Sequence, residues 1–405
     1  MTTCDIDLGP ETLLELAAGI RTRRDAAGHV LVDSPVGSVI DVGPQGFAIL
    51  SMFSPPRTLG DAIAHLEKTS RGTVDFAPTM GAINILIEES VLTVPGADHR
   101  PTSGWADPEE HARMLNDHRR TGDYIAALNA AVRPDDVVVD IGTGSGVLAV
   151  AAAKAGARHV YAVKASDIAD VARRVFEING VADRVTLVPG WSRQIELPEP
   201  ADVLVSEIIG NEPLEEEILE TTLDARRRLL APGARLIPHG LTLMARPILL
   251  PAAEVKQRAF GRADVAHWHD LYGIDFAPLL DASIPGPVYT RTEGEVVATW
   301  PTCGPPRALA TVDLARFDTP SLHGSVDLRV DPPGLVNAVA VTFRADLHDG
   351  TTHTLDPWRW PASSWATSVW VLPDPVTVSS NSRLRVQYHR RAAGVADGLS
   401  CEVVD

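Results

Sequence analysis

VVVDIGTGSG, residues 137–146, is an apolar run that ends in an aspartate and passes at once into three glycines at alternating positions. A strand covered on both faces reads as continuous Val and Ile, so this order predicts a buried parallel strand breaking into a tight turn. Residues 147–155 are good helix formers and open a helix directly after the turn. Glycines let the backbone approach a small molecule closely, and a helix start offers unpaired N–H groups. The stretch is therefore built to hold a ligand. Glycine-rich turns also serve packing alone, so the order of the surrounding elements has to decide.

Strand-like pieces recur at 160–163, 185–188 and 201–206. Ahead of them, Asp107-Pro-Glu-Glu starts a helix with acids in its first turn, and 113–129 carries a long helical pattern. Strands alternating with helices predict an α/β, Rossmann-like, doubly wound parallel sheet. Ligands of such sheets lie beyond the carboxyl ends of the strands. That rule gathers Asp140, Gly142, Gly144, Gly146, Lys164 and Glu207 around one crevice.

A chain of 405 residues predicts two or three domains, and 45% hydrophobic with 22% charged residues is the composition of a soluble globular protein. No apolar stretch approaches membrane-spanning length and no basic-then-apolar leader opens the chain, so a cytoplasmic protein without membrane contact is expected. Cys4, Cys303 and Cys401 form no CxxC pair, and His267 and His269 have no third ligand at useful spacing, so no metal site is expected. A net charge of −17 argues against nucleic acid and suits a cationic partner, although solubility accounts for it equally well.

Residues 1–100 read as a small winged-helix-like α+β domain: a helix at 12–20, strands at 29–33 and 38–42 about Ser34-Pro-Val-Gly37, helices at 45–53, 58–69 and 77–89, and a strand at 91–94. Residues 97–104 suit a linker, and 101–238 form the Rossmann-like domain. From 239 to 405 strand-like pieces separated by Pro and Gly (241–249, 296–300, 308–314, 325–330, 338–343, 368–372, 384–388) predict a β-sandwich or barrel, interrupted by a helical arm at 253–276.

HVLVD (29–33), VIDVGPQGFAIL (39–50), TLGDAI (58–63) and ILIEESVL (85–92) resemble the PqqD-like recognition element of ribosomal peptide modification pathways. The resemblance implies a precursor peptide whose leader adds a strand to the sheet edge beside the last helix. A packing or dimer domain is the other reading. A DNA-binding winged helix would need a denser basic helix than Arg21, Arg23 and Arg24 provide.

VVDIGTGSG (138–146), AAKAGARHVYAV (152–163), ING (178–180), IELPEP (195–200), SEIIGNEPLEEEIL (206–219) and LAPGARLIP (230–238) resemble the protein arginine methyltransferases, a class I methyltransferase family, with coverage of about 105–405. The resemblance implies S-adenosylmethionine as cofactor and S-adenosylhomocysteine as product. It places Arg120 on the donor's carboxylate, Asp140 and the glycines around the donor, and Lys164 and Ser192 at cofactor positions. Glu207 and Glu216 become the catalytic glutamates, Trp365 and Trp105 line the acceptor, and the arm implies a homodimer. Three places depart from the family. Lys164 stands where a ribose-binding acid is usual, and Asp167 is the neighbour that would substitute. The adenine-contacting acid aligns near Arg193, and the Thr-His-Trp loop reads Ser363-Ser-Trp-Ala-Thr367, with Ser364 in the place of histidine.

Together these readings lead to the expectation of an N-methyltransferase of a ribosomally synthesised peptide, dimethylating a C-terminal primary amine as in daptide-type pathways. Arginine N-methylation of a peptide or protein is the alternative enzyme reading. A non-catalytic leader-binding scaffold, with Glu215, Glu216 and Glu217 as no more than a solvated face, is the alternative of another class.

Overall fold

The computed structural model describes residues 9–17, 20–24, 29–33, 39–43, 46–69, 76–88, 91–95, 107–164, 168–283, 286–390 and 398–405. Trp105, Asp167, Cys4, the 34–37 turn and the 97–104 linker lie outside them. The described residues divide into two compact units, one running to His111 and including 168–171 and 189–191, the other holding the rest.

The first unit contains β1 (Leu13–Leu16), β2 (Arg21–Arg24), β3 (Val30–Asp33), β4 (Val39–Asp41), α1 (Gly46–Ser51), β5 (Arg57–Thr58), α2 (Leu59–Thr69), α3 (Phe76–Glu88) and β6 (Leu92–Thr93). Two three-stranded sheets, β5-β1-β6 and β2-β3-β4, share a core of residues such as Leu14, Val32, Ile49, Phe53 and Leu86. The helix expected at 12–20 is instead strand β1. Leu14 pairs with Arg57 and Leu16 with Leu92, so pairing on both edges overrides the local helical pattern.

After α4 (Pro108–Asn116) the chain continues through α5 (His118–Ala131), β7 (Val137–Ile141), α6 (Val147–Lys154), β8 (His159–Lys164), α7 (Ala169–Ile178), β9 (Val185–Pro189), β10 (Ala201–Ser206), α8 (Ile218–Arg228) and β11 (Leu230–Ile237). The sheet order is β11-β10-β7-β8-β9, with β7 parallel to both β8 and β10. All five residues of β7 are buried, as its unbroken Val–Ile pattern requires. Strand order reverses between β7 and β10, which sets a crevice beyond Ile141 and Ser206. The long helical pattern at 113–129 is broken by Asp117, whose side chain accepts from the Arg120 amide and caps α5.

The strand-rich part comprises β12 (Gly240–Ile248), α9 (Ala252–Arg258), α10 (Arg262–Tyr272), α11 (Ala277–Ala282), β13 (Val288–Thr292), α12 (Gly294–Val297), β14 (Arg307–Asp313), β15 (Leu322–Leu328), β16 (Gly334–His348), β17 (Thr351–Thr354), β18 (Thr367–Val378), β19 (Arg383–Arg390) and β20 (Gly398–Val404). One antiparallel sheet runs β13-β18-β16-β12-β14, with β17 on β16, and a second runs β15-β19-β20. A single apolar cluster extends from Tyr124 and the β7 valines to Phe343, Trp365 and Tyr388, so the parallel sheet and the antiparallel strands share a core. The strand expected at 296–300 is overturned. Val297 and Ala298 donate to Glu293 and Gly294, a helical turn that buries Val297 and Trp300 three residues apart. The helical arm is three short helices, α9 to α11, and on it Leu271, Tyr272 and Leu279, with Ile274 in the link between α10 and α11, are exposed.

Candidate active site

Asp140, the penultimate residue of β7, is fully buried, and its Oδ2 accepts from Thr143 Oγ1 at 2.6 Å. Burial pushes its carboxyl up to about 6 despite that hydrogen bond. In the turn, Gly142, Gly144 and Gly146 have φ of +82°, +55° and +92°, a region L side chains avoid. Space makes the same demand: a Cβ on Gly142 would lie 2.7 Å from Ile208 Cγ2, and one on Gly146 would lie 2.5 Å from Phe176 Cε1.

The second wall is the start of α5. Arg120 forms an ion pair with Glu207, the residue that follows β10. Its guanidinium lies 5.0 Å from the Trp365 ring centroid, and its Nε has no hydrogen-bond partner among the described residues. Burial lowers its pKa, while Tyr124, Asp117 and Glu216 pull it back up. Asp117 does more than cap the helix: its Oδ2 accepts from the Ser364 amide at 3.0 Å and from the Ser363 and Ser364 hydroxyls at 3.3 Å each. Burial alone would raise this carboxyl, but the amides of Arg120 and Ser364 hold it below its ordinary value.

The loop from Glu207 to Glu217 forms the third wall. Trp365 donates its indole N–H to Ile209 O at 2.6 Å, the Ala366 amide donates to Asn211 Oδ1 at 2.8 Å, and Tyr388 donates to buried Glu212 at 2.7 Å. Glu215 accepts from the Asn211 amide at 2.8 Å and pairs with Arg291 at 3.2 Å, and Glu217 pairs with Arg193. Burial, reinforced by Glu215, pushes Glu216 up to about 7, while Arg120, Lys164 and Arg291 pull it down. Lys164, at the end of β8, is lowered by burial and raised by Glu216 and Asp140. Glu215 and Glu217 are thus engaged in specific ion pairs, which a purely solvated face would not require.

Arg120 touches both Glu207 and Trp365; Glu216 is coupled electrostatically to Arg120 and Lys164, and Lys164 to Asp140. The backbone carbonyl of Ser192 accepts from Arg228 at 2.9 Å. Trp105 lies outside the described residues. Reading the sequence missed Asp117, Asn211, Glu215 and Arg291. Asp117 carried a signal, a capping residue three before an arginine, whereas Arg291 sits on an edge strand with none. The assembled groups can hold a cation between carboxylates, seat a carboxylate on Arg120, and take up a proton near neutrality at Glu216.

A model of the family described as ribosomal protein L11 methyltransferase (PrmA) matches residues 116–255. Relatives include the probable protein arginine N-methyltransferase 6 of Arabidopsis thaliana, 36% identical over 47% of this chain and 44% of its own length. Another is the protein arginine N-methyltransferase 1 of Schizosaccharomyces pombe, 37% identical over 42% and 48%. The probable histone-arginine methyltransferase CARM1 of Oryza sativa subsp. indica is 37% identical over 68% of this chain and 53% of its length. The chain spans about half the length of these curated relatives. Among solved structures, a Trypanosoma brucei PRMT1 enzyme-prozyme heterotetrameric complex with AdoHcy superposes with a TM-score of 0.59 at 23% identity, covering 75% of this chain and all of that one. The protein arginine methyltransferase 10 of Arabidopsis thaliana gives 0.59 at 22%, covering 74% and 98%. The fold is therefore that of these enzymes, a Rossmann-like methyltransferase domain followed by a β-barrel or sandwich domain.

Proposed function

We propose that this chain is an S-adenosylmethionine-dependent N-methyltransferase of a peptide or protein, with an arginine side chain as the acceptor. One observation carries the reading: Arg120 meets Glu207 and Trp365 beside a turn whose three glycines all have positive φ. The residues suit the cofactor, since the turn leaves room for close backbone approach and Arg120 keeps Nε without a partner among the described residues. The cofactor supplies an electrophilic methyl group on a sulfonium. Arg120 would hold its carboxylate, and Asp140 with the turn would hold the donor beside the acceptor. Glu207 and Glu216 hold the cationic nitrogen, and Glu216 accepts the proton that methylation releases. Alignment contributes most of the acceleration, several kcal/mol by effective molarity. The names of the relatives favour arginine over other nitrogens.

A second reading, a primary amine on a ribosomally synthesised peptide, is favoured by one feature: Asp117 is held by Ser363 and Ser364 where the family carries a histidine. In that reading residues 1–100 dock the leader, 101–238 bind the donor and 239–405 shape the acceptor site. Mass spectrometry after incubation with cofactor and two peptide sets, one arginine-bearing and one ending in a primary amine with and without its leader, decides between them. Methyl groups mapped only to the terminal amine overturn the arginine reading. Failure to bind S-adenosylhomocysteine in calorimetry removes both enzyme readings and leaves the scaffold.

The exposed Leu271, Tyr272, Ile274 and Leu279 suit the arm to covering by a second copy. Sedimentation equilibrium should show a dimer that Leu271→Glu with Ile274→Glu converts to monomer. An unchanged mass would remove the arm from the interface. No helix among the described residues is long and apolar enough to cross a membrane.

A further inference from the structure

Beneath Trp365 lies a titratable pair that the chemistry above leaves unused. His353, on β17, is 2% exposed, and its Nδ1 lies 2.9 Å from Asp123 Oδ2 on α5. An ionised carboxylate only accepts, so Nδ1 carries the hydrogen and the ring has one defined tautomer. The His353 ring centroid lies 5.3 Å from that of Trp365 at an interplanar angle of 39°. Phe343 meets the same indole edge-on at 5.1 Å, and the indole N–H binds Ile209, two residues beyond Glu207.

Asp117, Arg120 and Asp123 are three residues apart, so one side of α5 carries all of them. Each grips a different part of the site: Asp117 the Ser363–Ser364 strip, Arg120 the Glu207 carboxylate and Asp123 the imidazole. A leucine would fill the place of His353 without the cost of burying a polar ring. The imidazole adds a direction, because its plane is tied to the helix that carries Arg120.

We propose that Asp123 and His353 are a positioning pair that sets the Trp365 indole, and through it the loop bearing Glu207 and Glu216, for methyl transfer. The inference rests on the methyltransferase reading. A loop displaced by a fraction of an ångström misaligns donor and acceptor without touching the donor's carboxylate site at Arg120.

Three variants separate the parts of the pair. His353→Phe keeps a ring and removes the donor, His353→Asn keeps a donor near Nδ1 and removes the ring, and Asp123→Asn keeps an uncharged acceptor. The two His353 variants should bind S-adenosylhomocysteine as tightly as the parent while kcat falls about tenfold to a hundredfold, the scale of a small misalignment. Asp123→Asn should fall between them and the parent. A merely structural loss would weaken donor binding together with kcat, and that outcome overturns the proposal. The Trp365 indole N–H resonance, identified by its disappearance in Trp365→Phe, should shift and exchange faster with solvent in both His353 variants. Folded His353 variants with parental kcat, or with an unmoved indole resonance, also overturn it. If the parent methylates no acceptor, the methyltransferase reading fails, while the indole resonance still reports whether the pair sets Trp365.

Discussion

Arg120 and Glu207, 87 positions apart in the chain, are ion-paired with both side chains largely buried, so one contact joins the two sides that the proposed function assigns to donor and acceptor. Their roles separate on substitution. Arg120→Ala should weaken S-adenosylhomocysteine binding about 10- to 100-fold, the worth of a charged hydrogen bond lost from a buried site. Glu207→Gln should leave that affinity intact and lower kcat about 100-fold or more, as removal of a transition-state contact does. Calorimetry beside single-turnover kinetics reads both; equal donor binding in Arg120→Ala would take the arginine out of the donor site.

Glu216 sets the pH dependence. Its carboxyl is pushed up to about 7, so the free enzyme holds it largely protonated at pH 6 and largely ionised at pH 8. If it accepts the proton, kcat/KM rises about tenfold per unit below pH 7 and levels off above it. Glu216→Gln should flatten the rise. A parent profile flat from pH 6 to 8 would be the contrary result.

Asp140 shapes stability in a separate window. Its folded value of about 6 lies above the ordinary 3.8, so the native state keeps this proton to higher pH than the unfolded chain does. The contribution is fully present below about pH 4 and is lost as pH rises to 6, amounting to about 3 kcal/mol. Asp140→Asn retains an acceptor for Thr143 and should abolish this part of the slope. Urea melts of parent and variant at pH 4 and pH 7 provide the comparison.

Gly146→Ala meets both obstacles at once, a φ of +92° and a ring carbon 2.5 Å from the new Cβ. A loss of about 2–4 kcal/mol is expected from left-handed strain plus overpacking. Gly142→Ala shares the left-handed strain, with a φ of +82°, but its new Cβ meets the movable tip of Ile208, next to Glu207, so it should cost less stability than Gly146→Ala and more activity. Thermal melts beside initial rates test the contrast.

The parallel sheet and its glycine turn were legible because their signals are local: continuous Val–Ile in β7, then glycines at positions that turn out to have positive φ. Arg120, Glu216 and Trp365 came from resemblance to a family alone, since residues so far apart leave no pattern of their own, whereas Glu207 was also placed at the crevice by its position after a strand. The 12–20 and 296–300 readings failed where local pattern met tertiary pairing or burial at helical spacing. The Asp117–Ser364 contact was out of reach for another reason. It depends on a backbone amide 247 positions away, and every residue other than proline carries that amide.

That last feature bears on how such a site can diversify. Because the 363–364 strap is hooked to Asp117 through the Ser364 amide, position 364 can exchange its side chain while the strap stays fastened. The same carboxylate also begins α5, so the scaffold itself would be disturbed by changing the hook but not by changing what hangs from it. Position 364 is therefore free to change its side chain singly, with the start of α5 and the Arg120 that it carries left intact.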